Sequence, residues 1–463
     1  MRRLVLTLAA AACAGPAHAN LFDVFGAGAR SQAMAGAVAA LGGDPMAAFH
    51  NPGGLTEGPS TFIVGVTGLF NRTSILLTPR PAGYDPPGYG ANVNARTDTV
   101  EPPGTAGALL GLSAHPFSED LAIGVAAFVP FEGFASLNTH FADEREQAFS
   151  NRLHYELLGE RLESEVITFA LAWRLRSWLS MGLGLMILPG AKVQAPVYAR
   201  SATDLTQVDI NARVGTEFSR ALTAGVLVRP FEQLRVGVAF QDEVRTRIHG
   251  RSEVQVRGDE EQGVVFQRLD LVTAFSPLRA SLGVAWVADG GFTASLQGTY
   301  RAWSRYTDNH NESGGFDDTV DGQIGLEWPV GERTFARAGA SFTPSPVPAQ
   351  TGRTSYVDNH RLGFAFGAGR DLQVFGQDLT LDIAFQVQAL LTEETRKAQR
   401  AGRYPDCADG ERALCDESPD LDADTPLLTA AETRGLQTGN PGFPGYTHGG
   451  YLVAASVDLR WRF

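Results

Sequence analysis

Apolar and polar residues alternate along the last thirteen residues of the chain, YLVAASVDLRWRF. Tyr451, Val453, Ala455, Val457, Leu459, Trp461 and Phe463 hold the odd positions, while the even positions turn polar at Ser456, Asp458, Arg460 and Arg462. A period of two puts each set on its own face of a β-strand. The alternation recurs upstream. Leu379, Leu381, Ile383, Phe385 and Val387 oppose Thr380, Asp382, Gln386 and Gln388. Likewise Leu234, Val236, Val238 and Phe240 oppose Arg235 and Gln241, and Phe292, Ala294, Leu296 and Tyr300 oppose Thr293, Ser295, Gln297, Thr299 and Arg301. From Ser60 onward such runs predict strands at 60–70, 105–115, 120–133, 161–175, 178–190, 206–228, 233–250, 264–287, 292–306, 319–328, 334–343, 359–370, 378–391 and 450–463. Fourteen is an even number, as a closed antiparallel barrel requires. An apolar terminal strand beside water invites edge pairing, whereas closure in lipid removes the edge. The pattern therefore predicts an all-β fold, a 14-stranded antiparallel transmembrane barrel with apolar residues toward lipid. A soluble β-sandwich is the competing fold.

The connections separate the two. Short links at Pro116–Glu119, Arg176–Ser177, Pro230–Glu232, Ala288–Gly291 and Gly331–Arg333 alternate with long ones at 71–104, 134–160, 307–318, 344–358 and 392–449. Barrels have short periplasmic turns and longer outer loops; a sandwich has no reason to sort its loops this way. Among the long ones, 139–160 has the apolar spacing of an amphipathic helix. Such a helix could cap the mouth or offer a landing surface for an apolar ligand.

The first residues supply a secretory leader. Arg2 and Arg3 precede an apolar run from Leu4 to Gly15, and Ala17-His18-Ala19 is a small-x-small cleavage site. Residues 1–19 are thus expected to be a signal peptide, 20–58 an N-terminal plug and 59–463 the barrel. Losing 19 of 463 residues leaves 444, and losing two arginines takes the net charge from −13 to −15, which speaks against a nucleic-acid partner. No run of about 18 uncharged apolar residues is present for a transmembrane helix. Cys407 and Cys415, in an exported chain, are expected to form a disulfide across a surface loop. The acids of 406–424 read as a solvated loop, with Asp420, Asp422 and Asp424 a weak cation alternative. No metal or cofactor is expected. His115, His154 and His249 fall in no nucleophile motif, and Gly182-x-Gly184 lies in a strand run, so neither an enzyme nor a phosphate loop is indicated.

Residues 20–58 are unlike the rest. Alanine and glycine dominate and alternation is absent. Ser31 to Leu41 predicts a short helix stopped by Gly42-Gly43. Asp44-Pro45 reads as an N-cap and first helical residue opening another turn, which Asn51-Pro52-Gly53-Gly54 ends. The segment is either a periplasmic extension or a plug folded into the lumen.

The run GARSQAMAGAVAALGGDPMAAFHNPGGL resembles the hatch of the FadL family of outer-membrane transporters for long-chain fatty acids and other hydrophobic compounds. The family's Asn-Pro-Ala motif is matched by Asn51, Pro52 and Gly53, with glycine in the third place. Trp303-Ser304-Arg305-Tyr306 is similar to its Trp-Ser segment in the middle of the barrel, and Val357-Asp358-Asn359-His360-Arg361 to its Asp-x-x-Arg segment. The resemblance spans nearly the whole mature chain. It implies a fourteen-stranded barrel plugged by its own N-terminus and a break in the third strand that opens sideways to the membrane. Pro130 and Gly133, near the end of that strand, fit a kink.

The expected function is passive transport of long-chain fatty acids or similar hydrophobic compounds. The protein would be a monomer in the outer membrane of a Gram-negative bacterium, in contact with lipid bilayer and lipopolysaccharide. Its C-terminal aromatic strand is of the type that the barrel assembly machinery reads. A carboxylate head group would seek a lumen cation, and Arg301, Arg305, Arg361 and Arg460 are the candidates. Lumen arginines more often pair with acids such as Asp321, Asp382 and Asp458. A non-specific porin is the alternative, and it would need no plug.

Overall fold

The computed structural model describes residues 21–78, 97–98, 104–131, 154–155, 157–158, 165–189, 192–200, 207–257, 262–307, 313–350, 356–397 and 445–463. The signal peptide, Gly133, both cysteines and the acidic loop lie outside these residues. Fourteen antiparallel strands form a closed ring. In chain order they are β1 (Thr61–Leu77), β2 (Ala106–Ser118), β3 (Leu121–Pro130), β4 (Val166–Arg176), β5 (Leu179–Leu188), β6 (Ser219–Val228) and β7 (Leu234–Gln241). The second half comprises β8 (Arg279–Val287), β9 (Thr293–Arg301), β10 (Thr319–Gly331), β11 (Thr334–Thr343), β12 (Arg361–Val374), β13 (Gln377–Arg396) and β14 (Gly445–Arg462). The ring shuts where β1 pairs with β14, from Thr61 opposite Arg462 to Leu77 opposite Tyr446.

The alternation read from the sequence is the inside and outside of this wall. Val457, Leu459, Leu381, Ile383, Leu296 and Val238 are exposed on the outer surface, while Ser456, Asp458, Thr380, Asp382 and Gln386 are buried within. Each expected strand has its counterpart, and three of them were composites. Residues 206–228, 233–250 and 264–287 each break at a kink into a barrel strand and an outer one. The outer pieces, Gln207–Thr216, Val244–Arg257 and Gln262–Ser276, join Lys192–Arg200 in a four-stranded antiparallel sheet on the long-loop side. Alternation runs on through the kinks at Glu217 and Glu243, but at Ser276-Pro277 the apolar positions change from odd (Leu269, Leu271, Phe275) to even (Leu278, Ala280, Leu282), a break that the expected strand 264–287 passed over. Lys192–Arg200 lay in none of the expected strands. β1 and β13 also run beyond their expected ends, to Leu77 and Arg396.

Residues 21–57 lie inside the ring. They form α1 (Leu21–Phe25), α2 (Gly28–Ala33), α3 (Ala47–His50) and a 3₁₀ turn at Pro52–Glu57. The helix expected over Ser31–Leu41 is instead earlier and shorter. It stops where Ala35 and Gly36 take positive φ, 51° and 84°, a conformation no helix continues through. At α3 the expected cap is present, with the Met46 N–H donating to Asp44 Oδ1 at 2.9 Å. The helix expected over 139–160 is not seen in its described part: His154 and Tyr155 are extended and pair in parallel with Tyr356 and Val357.

Candidate functional site

The lumen between hatch and wall is the site. Glycine lets the hatch backbone touch the strands. Gly182 and Gly225 receive Pro52 and Asn51, Gly237 and Gly283 receive Ala39 and Ala40, Gly325 and Gly339 receive Met34, and Gly367 receives Ala33. A Cβ on Gly182 would stand 2.5 Å from the Pro52 carbonyl carbon, and one on Gly237 would overlap the Ala39 carbonyl. On β9 the belt is polar instead: Gln297 Oε1 accepts the Val38 and Ala39 N–H groups at 3.1 and 2.8 Å.

Asn51, which is fully buried, is the hub of the motif. Its Nδ2 donates to the Ala39 carbonyl of the hatch at 2.7 Å and to the Val226 carbonyl of the wall at 3.1 Å. Its Oδ1 accepts the Gly53 N–H at 3.1 Å and so caps the 3₁₀ turn. An amide is the one uncharged group able to donate twice and accept at once here. Gly53 is itself close to β5 and β6: a Cβ would sit 3.1 Å from the Gly225 oxygen and the Leu227 nitrogen.

Charge anchors the periplasmic end. Arg30 bridges Glu327 (2.9 Å), Glu327 bridges Arg337 (2.6 Å), Arg337 bridges Asp382 (2.6 Å) and Asp382 bridges Arg460 (2.6 Å). The Ala29 N–H donates to Asp458 Oδ2 at 2.5 Å. Across the bore Arg229 holds Glu57 at 3.0 Å.

Toward the mouth the lumen has two faces. On the β1–β5 side it is apolar. Leu21, Phe22, Phe25, Met46, Phe49 and Leu55 of the hatch join a buried cluster with wall residues that include Ile63, Leu109, Phe128, Val166 and Met186. Phe22 packs on Phe49 at 5.2 Å and on Phe128 at 5.7 Å, in the geometry aromatic pairs prefer. On the β8–β11 side a polar cavity with about 580 Å³ of empty space, part of it open to bulk, borders α1. Arg279, Ser281, Gln297, Thr299, Arg301, Asp321 and Gln323 line its wall side; Phe22, Asp23, Phe25 and His50 line its hatch side. Arg279 reaches Asp23 at 2.5 Å and lies 4.4 Å over the Phe49 ring. Arg301 reaches Asp321 at 2.6 Å and donates to the Asp23 carbonyl at 3.2 Å. His50 is neutral by its geometry, since its Nε2 accepts the Ala27 N–H at 3.1 Å. Burial pushes its pKa down to about 3, with Arg279 adding to the effect.

The four arginines singled out in the sequence are not brought together. Arg301 lies at this cavity, paired with Asp321. Arg460 belongs to the periplasmic network. Arg305 pairs with Glu243 at 3.0 Å and is half exposed. Arg361 is buried at the start of β12, near Asp358, whose carboxyl burial holds above its usual range. Trp303-Ser304-Arg305 forms a 3₁₀ turn at the outer end of β9, not mid-barrel. There Trp303, Tyr306, Phe316, Tyr356, Phe275 and Leu157 make a separate buried cluster, with Tyr306 and Phe316 stacked at 4.2 Å. Sequence reasoning passed over Asp23, Arg279 and Phe128. Asp23 left a trace as the one charge in the apolar run LFDVF, and Arg279 as a polar position in a continuing alternation. Pro130 ends β3. The ladder from β3 to β4 runs from Leu121 opposite Trp173 to Phe128 opposite Val166 and stops two residues before it.

Residues 5–410 match the family model of outer membrane protein transport proteins (OMPP1/FadL/TodX). The chain belongs to this family. Among solved structures, a Pseudomonas aeruginosa FadL homologue is 15% identical, covers 98% of this chain and 100% of its own, and superposes with a TM-score of 0.59. The P. putida toluene transporter TodX is 13% identical over 95% of this chain and 99% of its own, with a TM-score of 0.57. The monoaromatic hydrocarbon channel CymD is 13% identical over 96% and 99%, with a TM-score of 0.53. At these identities the likeness establishes the shared barrel fold. No curated protein matches the sequence. As a member of the FadL/TodX family the protein is an outer-membrane β-barrel of a family of transport channels for hydrophobic compounds.

Proposed function

We propose that this FadL/TodX family protein is a passive conduit for long-chain fatty acids or similar hydrophobic compounds, that residues 20–58 act as its movable hatch, and that cargo leaves sideways into the membrane. The observation that carries the reading is the apolar face of the lumen. It runs from the hatch phenylalanines to Phe128, beside the point where pairing of β3 with β4 ends and Pro130 removes a ladder donor. Each CH₂ taken from water onto such a face contributes about 0.8 kcal/mol, so acyl chains and aromatic hydrocarbons partition there with no energy input. The hatch closes a bore of fourteen strands, wider than the eight-stranded barrels that side chains alone can fill.

On this reading the protein is a monomer without catalytic function, its outer loops meet lipopolysaccharide, and Trp461 of β14 with Phe463 just beyond it is the signal to the assembly machinery. Asn51, Pro52 and Gly53 hold the hatch shut, and Pro130 marks the exit kink. Uptake of labelled oleate and of toluene, in cells with and without the protein, tests the conduit. Faster uptake of either compound with the protein is expected; equal rates for both would end the proposal. A porin would instead conduct ions steadily with its hatch in place.

A further inference from the structure

The periplasmic floor of the hatch is unevenly charged. On the β10–β14 side Arg30, Arg337 and Arg460 each meet a carboxylate, Glu327 or Asp382. On the β4–β7 side cations outnumber their partners. Arg229, just past β6, bridges Glu57 at 3.0 Å and donates to the Ser177 carbonyl at 2.6 Å. Arg174 of β4 donates to the Thr56 carbonyl, and its acid, Asp120, is 3.8 Å away and mostly exposed. Arg235 of β7 has no hydrogen bond or ion pair with any described residue. It stands two places before Gly237, the glycine against Ala39, so its side chain enters the bore from the wall. Its charged neighbours are Glu57, already bridged by Arg229, and two further arginines, Arg229 and Arg30. Only the Arg235 Nε is enclosed; the residue is partly exposed, so the outer donors of its guanidinium stay within reach of a solute.

We infer that the floor of the hatch beside β4–β7 binds an oxyanion from the periplasm, a carboxylate or a phosphate, with Arg235 as its main ligand and Arg229 beside it. The inference does not rest on the conduit reading. A guanidinium placed among other cations, in a bore less polar than water, is stabilised by an added anion. Its planar fork matches two oxygens of one carboxylate or phosphate. A cleft lined by one sign of charge also concentrates counter-ions. The same oxygens can be brought by a small periplasmic anion or by the head group of an amphiphile. Either one lies next to the Arg229–Glu57 bridge and so meets the hatch at its last residue.

The test titrates the full-length mature protein in nanodiscs by calorimetry, at neutral pH and constant ionic strength. Inorganic phosphate, acetate and decanoate are the probes, and empty nanodiscs correct for partition. At least one probe is expected to bind with a Kd of about 1 mM or tighter. Arg235→Gln should weaken that binding about tenfold or more, and Arg235→Lys should restore most of it. Arg176→Gln, which removes an exposed arginine from the same rim, should leave it unchanged. Glu57→Gln removes the competing carboxylate and should tighten binding severalfold; a gain of binding does not arise from misfolding. Decanoate binding more tightly than acetate assigns the site to an amphiphile's head group, and equal binding assigns it to small anions. Binding of none of the three, or equal affinity in wild type and Arg235→Gln, overturns the site and leaves the conduit standing.

Discussion

The two faces of the bore solve the same packing problem with different chemistry. Against β1–β5 the hatch lays down Leu21, Phe22, Phe49 and Leu55, and the wall answers with Leu109, Phe128 and Met186. Against β8–β12 it is held by directed bonds: Gln297 to the Val38 and Ala39 amides, Arg279 to Asp23, Arg30 to Glu327. Apolar contact is non-directional, so that face can open and reseal around a greasy molecule at small cost. Directed bonds fix position and are lost sharply when geometry changes. On the function proposed above, the difference makes the more densely bonded side the mount of the hatch and the apolar side its door.

The first way to break this comparison is to remove the mount and door together. Deleting residues 20–54 should leave a folded barrel whose conductance in planar bilayers rises to the steady level of an open pore; no rise would show that the segment does not seal the bore. Phe128→Ala acts on the door alone. It should cost about 3–4 kcal/mol of local packing and slow hydrophobic uptake severalfold, while ion conductance measured in parallel stays low. Asn51→Ala acts where the hatch meets β5 and β6, removing three hydrogen bonds. A loss of about 2–4 kcal/mol in hatch docking is expected, read as faster hydrogen exchange at residues 38–54 and as flickering conductance.

Acid should loosen the mount next. The undocked His50 takes up a proton near pH 6.5 and the docked one only near pH 3, so docking is at full strength above about pH 6.5 and weakens as pH falls toward 3. The slope is about 1.4 kcal/mol per unit at most, and His50→Gln should flatten the pH profile of conductance. The smallest effect is expected from Arg30→Met. Its side chain is one-fifth exposed and Glu327 keeps Arg337, so about 1 kcal/mol is expected after allowance for screening, visible as a modest rise in proteolysis of the hatch.

Much of the barrel was legible because lipid and lumen impose opposite demands on neighbouring residues. Thr380 and Leu381 could not exchange places without burying a polar group in lipid, and the sequence records that constraint strand by strand. The kinks that divide β6 and β7 from the outer sheet left no such mark, since alternation continues through Glu217 and Glu243; the one before β8 did, in Pro277 and the change of phase around it. The hatch was legible as something other than a strand, and Asn51 as its motif, but α2 was displaced because a positive φ at an alanine, Ala35, has no sequence signature. The candidate site was read least well. Arg301 alone among the four arginines borders the cavity, and what matters there is its pairing with Asp321 across adjacent strands, a relation of register that a list of cations does not contain.

The seam between the first and last strands has a bearing on biogenesis. Seventeen residues of β1 pair with β14, so the cylinder stays split until β14 has been laid in. The segment within precedes β1 and lies in close backbone contact with wall glycines. Seating it before the split is zipped would spare that segment from threading into a finished shell, so the interior is expected to fold first.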